Sequence, residues 1–444
     1  WSTVAELRSQ MAAAWKQVQS LTLLEGLANL ADIEDDVPIA ALSTARAQQI
    51  EKNRTADPFT EWPAAARQVK TEPLRIGYLS ANFRRQAGGQ LARGLFAAHD
   101  HNRVHVTAYA LPPMDDSPYR RDPERDADDF VDLSNMTTLE AAERIRSDGI
   151  QVLIDMKGWS EFNRQDILAL RPAPVQIHYL GHPAPMIAPW IDYQIVDPVV
   201  VNDAARQAFP NGLIYLPDTY QVNDSEQPVP GKGPSRRAVG LPTDATVLVI
   251  ANTIYKISQP VFSLWMQVMA ARPSTVLWMF GAHDIAKANL MAHARAAGVD
   301  PERLLFSPSI ERAQHLTRLQ GADLAFDTRP CGGHTTTADC LWAGLPVLTV
   351  TGEHFASRVS ASLLRAAGLA DLVSERAEGF ANKALALIDN PEQRQLYRAQ
   401  LTSRRHDLAL FDTKARAHQL EAAFAAVWQR YCDGRAPSDI YIDH

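Results

Sequence analysis

The densest cluster of chemistry-bearing residues is Asp327-Thr-Arg-Pro-Cys-Gly-Gly-His-Thr-Thr-Thr-Ala-Asp339. An apolar run ends at Phe326, a glycine-containing loop follows, and a helix is predicted to open at His334-Thr335-Thr336. Threonines at a helix start cap it and present hydroxyls beside backbone N–H groups that have no partner within the helix. Together with the positive end of the helix dipole they suit a phosphate. Simple capping after a glycine turn uses the same residues, and both readings stand at this point. Lys256, in Ala251-Asn-Thr-Ile-Tyr-Lys256, follows another predicted strand. There a cation can neutralise a diphosphate leaving group, or simply be solvated. Arg312 and His315 lie one helical turn apart after a third strand, placed to flank a ribose and a base, or to serve as surface and capping residues. Three strand-end loops of one half thus carry Lys, Arg and His without an acidic cage. That set suits an anionic nucleotide leaving group neutralised by side chains, with no metal. Asp126-Ala-Asp128 has the form of a metal-binding DxD but lies in a charged run, and solvated surface is the better reading.

These loops need strands and helices to hold them. From Leu74 onward, apolar runs alternate with helical stretches: Leu74–Leu79, Val104–Leu111, Phe130–Leu133, Ile150–Met156, Val175–Leu180 and Tyr193–Val196. The segment Gln227–Arg237, rich in Pro, Gly and charge, predicts a linker. A second series follows at Thr246–Ala251, Thr275–Phe280, Leu304–Ser307, Leu324–Phe326 and Val347–Val350. Helices are expected at 139–146, 261–271, 286–297, 311–319 and 414–431. Alternation of this kind predicts parallel βαβ units with ligands beyond the carboxyl ends of the strands. Two such halves, 71–226 and 238–410, with the linker 227–237 between them and a tail helix in 411–444, make an interface cleft the first place to look for a ligand. Residues 1–70 read as a helical segment plus linker. Val4, Leu7, Met11, Trp15 and Val18 form one apolar stripe, further helices are expected near 21–30 and 39–50, and Asp57–Pro73 reads as a tether. The helical start is also compatible with the end of a repeat array.

Composition narrows the classes. Of 444 residues 46% are hydrophobic and 21% charged, which allows a large core. A net charge of -7 without a basic run argues against nucleic-acid binding. Three scattered cysteines exclude a disulfide framework or a four-ligand zinc site and point to a reducing, cytoplasmic setting with buried thiols. No run of about 18 apolar residues is present, so no membrane-spanning helix is expected. A start at Trp1, with no Met and no leader pattern, predicts a trimmed chain.

From Leu74 onward the sequence resembles the catalytic region of the O-GlcNAc transferase and SPINDLY family, glycosyltransferase family 41, and in particular its bacterial members. The resemblance rests on Leu170-Arg-Pro-Ala-Pro-Val-Gln176, Leu180-Gly-His-Pro183, Trp190-Ile-Asp-Tyr193, Leu216-Pro-Asp-Thr-Tyr220, Asn252–Lys256 and Val276-Leu-Trp278. It is most specific at Gly333-His-Thr-Thr336 to Asp339, Leu341-Trp-Ala-Gly-Leu-Pro346 and Phe355-Ala-Ser-Arg-Val359.

It implies a GT-B fold: two Rossmann-like domains facing across a cleft, the second binding the donor nucleotide, and a tail helix supporting the first. It also implies inverting, metal-independent transfer of GlcNAc from UDP-GlcNAc to Ser or Thr of a protein, with no cofactor. Carried over, Lys256 neutralises the diphosphate with Thr253 beside it, and Arg312 stands in for a family Lys near the ribose. His315 lies against the uracil, His334, Thr335 and Thr336 hold the diphosphate and sugar side, and Asp339 reaches the ribose. Relatives often carry tetratricopeptide repeats ahead of this region. The acceptor or sugar loops comprise Gln86, Gln90, Arg164, His182 and Pro183. Here the sequence departs from the family. Asn82 replaces an Asp, and Gln86 and Gln90 stand where two His are expected. Glutamine cannot exchange a proton near neutral pH. His182 is then one candidate catalytic base, though an aromatic counterpart in many relatives suggests a binding role. UDP-glucose-dependent N-glycosyltransferases, which share a Leu-Gly-His-Pro segment, and a non-catalytic nucleotide-sugar-binding homologue are the alternatives.

Overall fold

The computed structural model describes residues 36–63 and 73–443. The apolar stripe from Val4 to Val18 and the helix expected near 21–30 lie outside the described residues. The described chain divides into two compact units, one of residues 36–226 with 409–443 and one of residues 227–408.

The first unit is built on a parallel sheet whose strands are β1 (Leu74–Ser80), β2 (Val104–Ala110), β3 (Asp129–Asp132), β4 (Val152–Asp155), β5 (Val175–His178), β6 (Tyr193–Val196) and β7 (Gly212–Tyr215). The order is β7-β6-β5-β4-β1-β2-β3, and Ile440–Tyr441 adds a short parallel edge beside β7. β1, β4 and β5 are buried almost throughout, as expected of central strands covered on both faces. Gly212–Tyr215 and the tail edge are missing from the sequence-level set. The former is a four-residue run opening with Gly just after Pro210, and the latter has two residues, so neither carries a readable period.

The helix Asp36–Asn53 brackets the one expected at 39–50 and belongs to this unit: Ser43 Oγ accepts from Trp159 Nε1 at 2.6 Å and from Ile187 N at 2.6 Å. Residues 57–63, which read as a tether, are fastened down instead. Phe59 N donates to Leu170 O at 2.9 Å and Trp62 Nε1 to Arg171 O at 3.2 Å. The remainder of that segment, 64–72, lies outside the described residues. The tail helix Thr413–Cys432 closes the unit by a buried network. Its Glu421 Oε1 faces His99 Nδ1 at 3.0 Å and accepts from Asp100 N at 2.9 Å, and His99 Nε2 faces Tyr78 Oη at 2.9 Å.

The second unit carries β8 (Thr246–Ile250), β9 (Thr275–Phe280), β10 (Leu304–Ser307), β11 (Leu324–Phe326), β12 (Val347–Val350) and β13 (Val373–Ser374), all parallel, in the order β10-β9-β8-β11-β12-β13. The two-residue β13 is again too short to announce itself. Helices Gln259–Ala271, Asp284–Ala296 and Arg312–Leu319 fall within two residues of their expected bounds. The segment expected to be a free linker is strapped to this unit. Trp342 Nε1 donates to Pro228 O at 3.1 Å, Gln320 Nε2 to Gly231 O at 2.9 Å, and Gly233 N to Gln320 Oε1 at 3.0 Å. Among the described residues no helix is long and apolar enough to cross a membrane.

Candidate active site

In the second unit, β8 delivers Asn252, Thr253 and Lys256, and β11 delivers the loop 327–334 ahead of the helix Thr335–Trp342. The loop is organised by one buried carboxylate. Asp327 Oδ1 accepts from Gly333 N at 2.7 Å, Thr328 N at 2.9 Å and Asn252 Nδ2 at 3.0 Å, while Oδ2 accepts from Thr349 Oγ1 at 2.7 Å. This one side chain therefore ties together the ends of β8, β11 and β12. Burial still raises its pKa above the ordinary carboxylate value.

The helix start differs from the expectation of threonine capping. His334 occupies the N-cap position without a side-chain bond to the helix. Thr336 Oγ1 donates instead to Asn252 Oδ1 at 2.5 Å, and Thr337 Oγ1 shares a 2.9 Å bond with Ser360 Oγ. The hydroxyls are drawn sideways because buried amide and hydroxyl groups compete for them, and the amide end of the helix keeps no side-chain cap. Gly333 permits this crowding. A Cβ there would collide with Thr337 Oγ1 and lie 2.8 Å from Thr336 Oγ1.

Lys256 reaches the same loop, its Nζ donating to the Gly332 carbonyl at 3.0 Å. Thr253 opens the short 3-10 turn Ile254–Lys256, with its carbonyl accepting from Lys256 N at 3.0 Å and no capping bond from its side chain. Burial, then the nearby Lys256 charge, pushes the His334 imidazole down to about 3, so the ring is neutral at physiological pH. His334 Nε2 faces the Ala356 carbonyl at 3.5 Å. Thr335, half-buried, begins the helix.

Arg312 and Asp339 are ion-paired, and Arg312 Nη2 also donates to Gln227 Oε1 at 2.6 Å. Asp339 is 7% exposed, and burial raises its pKa against the lowering pull of Arg312. His315 stands edge-on to Phe280 with ring centroids 4.9 Å apart, and its Nδ1 accepts from Arg318 Nε at 3.0 Å. Burial, with Arg318 and Arg312 nearby, lowers it to about 4. Lys256, His334 and the helix start thus form one group, Arg312 and Asp339 a second, and His315 with Phe280 and Arg318 a third, carried by strand ends of one sheet and by the loops and helices that follow them. What they offer chemically is a cation, uncapped amides, a carboxylate–guanidinium pair and an aromatic-backed neutral ring.

In the first unit, the loop after β1 holds Asn82, whose Oδ1 accepts from Lys157 Nζ at 2.9 Å. Lys157 is buried, and burial pulls its ammonium down to about 8. Gln86 precedes the short helix Ala87–Ala92, which contains Gln90, and Gln86 Oε1 is buried with no hydrogen-bond partner among the described residues. At the carboxyl end of β4, Asp155 accepts from Lys157 N at 2.9 Å, Gly158 N at 3.0 Å and Gln165 Nε2 at 2.7 Å, and faces His178 Nδ1 at 3.3 Å. His178 Nε2 in turn faces the His182 carbonyl at 3.1 Å.

The Leu180-Gly-His-Pro loop is tightly set. Leu180 has φ +72°, and Gly158, at φ +53°, leaves room that a Cβ would take within 2.6 Å of the His182 Cβ. Burial lowers His182 to about 3, so its ring accepts hydrogen bonds but holds a proton poorly, which disfavours it as a general base. Pro183, half-buried, follows it in the loop. Arg164 is occupied by Asp166 at 3.1 Å and Thr138 Oγ1 at 3.1 Å, which makes it a structural side chain rather than a free cation. Asp128 of the DxD-like pattern accepts from His101 at 2.8 Å and Val106 N at 2.7 Å. Among the described residues no cluster of three or more His, Cys, Asp or Glu is arranged to hold a metal. Cys331 and Cys340 are buried and free, and Cys432 is half-buried.

The sequence profile of glycosyl transferase family 41 matches residues 41–231 and 233–420, most of the chain and both units. The chain belongs to glycosyl transferase family 41. A relative from Arabidopsis thaliana, named "Probable UDP-N-acetylglucosamine--peptide N-acetylglucosaminyltransferase SEC", is 32% identical over 375 residues, 83% of this chain and 38% of the relative. A Caenorhabditis elegans UDP-N-acetylglucosamine–peptide N-acetylglucosaminyltransferase is 27% identical over 483 residues, 84% of this chain and 42% of the relative. The chain thus spans about two fifths of the length of these curated relatives. A solved mutant of the Thermobaculum terrenum O-GlcNAc transferase aligns with TM-score 0.85 at 26% identity, covering 97% of this chain and 81% of that one. The two parallel-sheet units are those of the GT-B class that the resemblance implies.

Sequence reasoning assigns no individual role to several members of these clusters: Asn252, Asp327 and Gln227 in the second unit, and Asp155, Lys157 and His178 in the first. Asp155 ends β4 and Lys157 lies just beyond it, so both can be found from the strand-end rule alone. Asn252 and Asp327 are 75 positions apart, and no local pattern links them.

Proposed function

We propose that this chain transfers a sugar, GlcNAc in the first instance, from a UDP-sugar to Ser or Thr of a protein, with inversion and without a metal ion. The observation that carries this is Lys256 Nζ at 3.0 Å from the Gly332 carbonyl, one loop away from a helix start with no side-chain cap. A diphosphate seated there meets a full positive charge and the amide end of a helix together. Arg312 and Asp339 take the ribose, His315 the uracil face, and Thr253, His334, Thr335 and Thr336 the diphosphate and sugar side. The acceptor hydroxyl oxygen attacks the anomeric carbon, the bond from that carbon to the β-phosphate oxygen breaks, the hydroxyl proton leaves to water, and Lys256 stabilises the charge that UDP carries away. Gln86, Gln90, Arg164, His182 and Pro183 belong to loops that serve the sugar or acceptor. His182, neutral and closely packed, suits hydrogen bonding better than proton removal. Donors and acceptors of the named relatives support the substrate assignment, and GlcNAc, the protein acceptor and cytoplasmic residence are part of this proposal.

The test is UDP titration calorimetry and UDP release from UDP-GlcNAc, UDP-glucose and UDP-GalNAc, with and without cell lysate. Lys256→Met is expected to weaken UDP binding and lower transfer by about 10²–10³-fold, the scale set by losing one preorganised electrostatic donor. UDP binding untouched by that substitution would remove the basis of the scheme.

A second reading is favoured by Asn82, Gln86 and Gln90 together with the weakly basic His182: a homologue that binds nucleotide sugars without turning them over. Release of UDP with labelling of any lysate protein excludes it, and preference for UDP-glucose with label on Asn would move the assignment to N-glycosyl transfer.

A further inference from the structure

Arg312 holds two partners through one nitrogen. Its Nη2 donates to Gln227 Oε1 at 2.6 Å and to Asp339 Oδ1, which uses both hydrogens of that nitrogen. Gln227 and Asp339 are both buried, at 6% and 7% exposure, so neither partner is a solvated side chain that happens to lie nearby. Among the described residues Gln227 is the first of the second unit, and the next few residues are strapped to that unit through Pro228, Gly231 and Gly233. Two consequences follow for the guanidinium. Its plane is fixed between the strap and the helix Thr335–Trp342, because a planar fork bonded on two sides cannot rotate. Its Nε–H, buried and without a partner among the described residues, is left as a donor in need of an oxygen. Asp339, with one oxygen turned to Arg312, keeps carboxylate lone pairs able to accept a further hydrogen bond.

A buried donor next to a carboxylate acceptor matches a hydroxyl, which can accept from one and donate to the other. We infer that Gln227 is a positioning residue for the ribose of the donor nucleotide, holding Arg312 so that it and Asp339 together read the ribose hydroxyls. The inference rests on the proposed UDP site, in which Arg312 and Asp339 face the ribose. Gln227 need not touch the nucleotide. It removes the freedom with which Arg312 would otherwise swing away or collapse fully onto Asp339. A lysine in place of Arg312 would gain less from such a partner, since its ammonium lacks the rigid fork. The strap is therefore matched to the arginine at this position.

The experiment measures calorimetric affinities of the full chain for UDP, 2′-deoxy-UDP and 3′-deoxy-UDP in wild type and in Gln227→Met, Gln227→Glu and Asp339→Asn. Methionine keeps the length and bulk of glutamine without an oxygen, and glutamate restores the acceptor. Wild type is expected to prefer UDP over at least one deoxy analogue by about tenfold, the value of one well-made hydrogen bond. Gln227→Met should reduce that preference to about two- or threefold by weakening UDP more than the analogue, and Gln227→Glu should restore it. A merely structural role lowers all three affinities together and leaves their ratio unchanged, and that result overturns the inference. Asp339→Asn separates the two layers. If it leaves UDP preference intact, the ribose assignment fails and the inference with it. If it abolishes the preference while Gln227→Met does not, the ribose assignment stands and the role of Gln227 alone is lost. Should Gln227→Met fold poorly by circular dichroism, the Gln227→Asn chain, too short to reach Arg312, supplies the same ratio and is judged by the same outcomes.

Discussion

His334 and His315, both assigned to the proposed nucleotide pocket, are imidazoles held uncharged. Each is pushed down, to about 3 and about 4, mainly by burial and further by a neighbouring Lys256 or Arg318. Because the folded values lie below the unfolded value near 6.5, the unfolded chain takes up protons first as pH falls. Their contribution to stability is therefore complete above about pH 6.5 and is lost as pH falls toward about 4 for His315 and about 3 for His334. NMR titration of the ring protons is expected to show both residues still neutral at about pH 5. A midpoint near 6.5 for either ring would mean that it is solvated, and would remove it from the proposed pocket. The same logic bears on the proposed role of Lys256: a protonated His334 beside it would be self-repelling, whereas the neutral ring leaves the Lys256 charge to act on a bound diphosphate.

At the scale of elements, the loop after β11 depends on Asp327 more than on any residue that would touch a ligand. Four donors from β8, β11 and β12 converge on it. Asp327→Ala leaves those donors buried and unpaired, at a cost of about 3 kcal/mol or more. The expected outcome is a clear drop in the urea midpoint together with loss of UDP binding. Retained UDP affinity in a destabilised chain would show that the loop keeps its form without that carboxylate.

This anchoring also marks where sequence alone is readable. β1, β8 and β9 are announced by apolar runs bounded by polar loops, because strands buried on both faces need little else. Lys256, Arg312 and His334 fall at strand ends for the same reason. Asp327 is visible only as the first letter of a motif, since its partners come from Asn252 and Thr349. The strap through Gln227 has the look of a tether because Pro and Gly content says nothing about what the backbone carbonyls accept. A local rule misjudges the threonines: capping is the nearest use for their hydroxyls, and Asn252 and Ser360 outcompete it.

For the whole molecule, the described residues of the second unit run without interruption from 227 to 408, while the first unit is assembled from 36–226 and 409–443. Its closing piece, the helix Thr413–Cys432, inserts Glu421 against His99 beneath β1. Ending the chain at Leu408 removes that partner and uncovers buried apolar residues that Leu420 and Phe424 otherwise cover. Limited proteolysis of such a truncation is expected to cut first within 74–226, while saturating UDP protects 227–408, since a ligand stabilises only the state that binds it. Equal protection of both regions would show that the tail helix is dispensable.

That arrangement has a bearing on biosynthesis. A ribosome adding about 5–20 residues per second completes the sheet of residues 227–408 while the other sheet still waits for its last helix. For roughly one to five seconds a nascent chain would carry a finished second sheet tethered to a half-made neighbour, with the proposed UDP site already open to free nucleotide sugar in the cell.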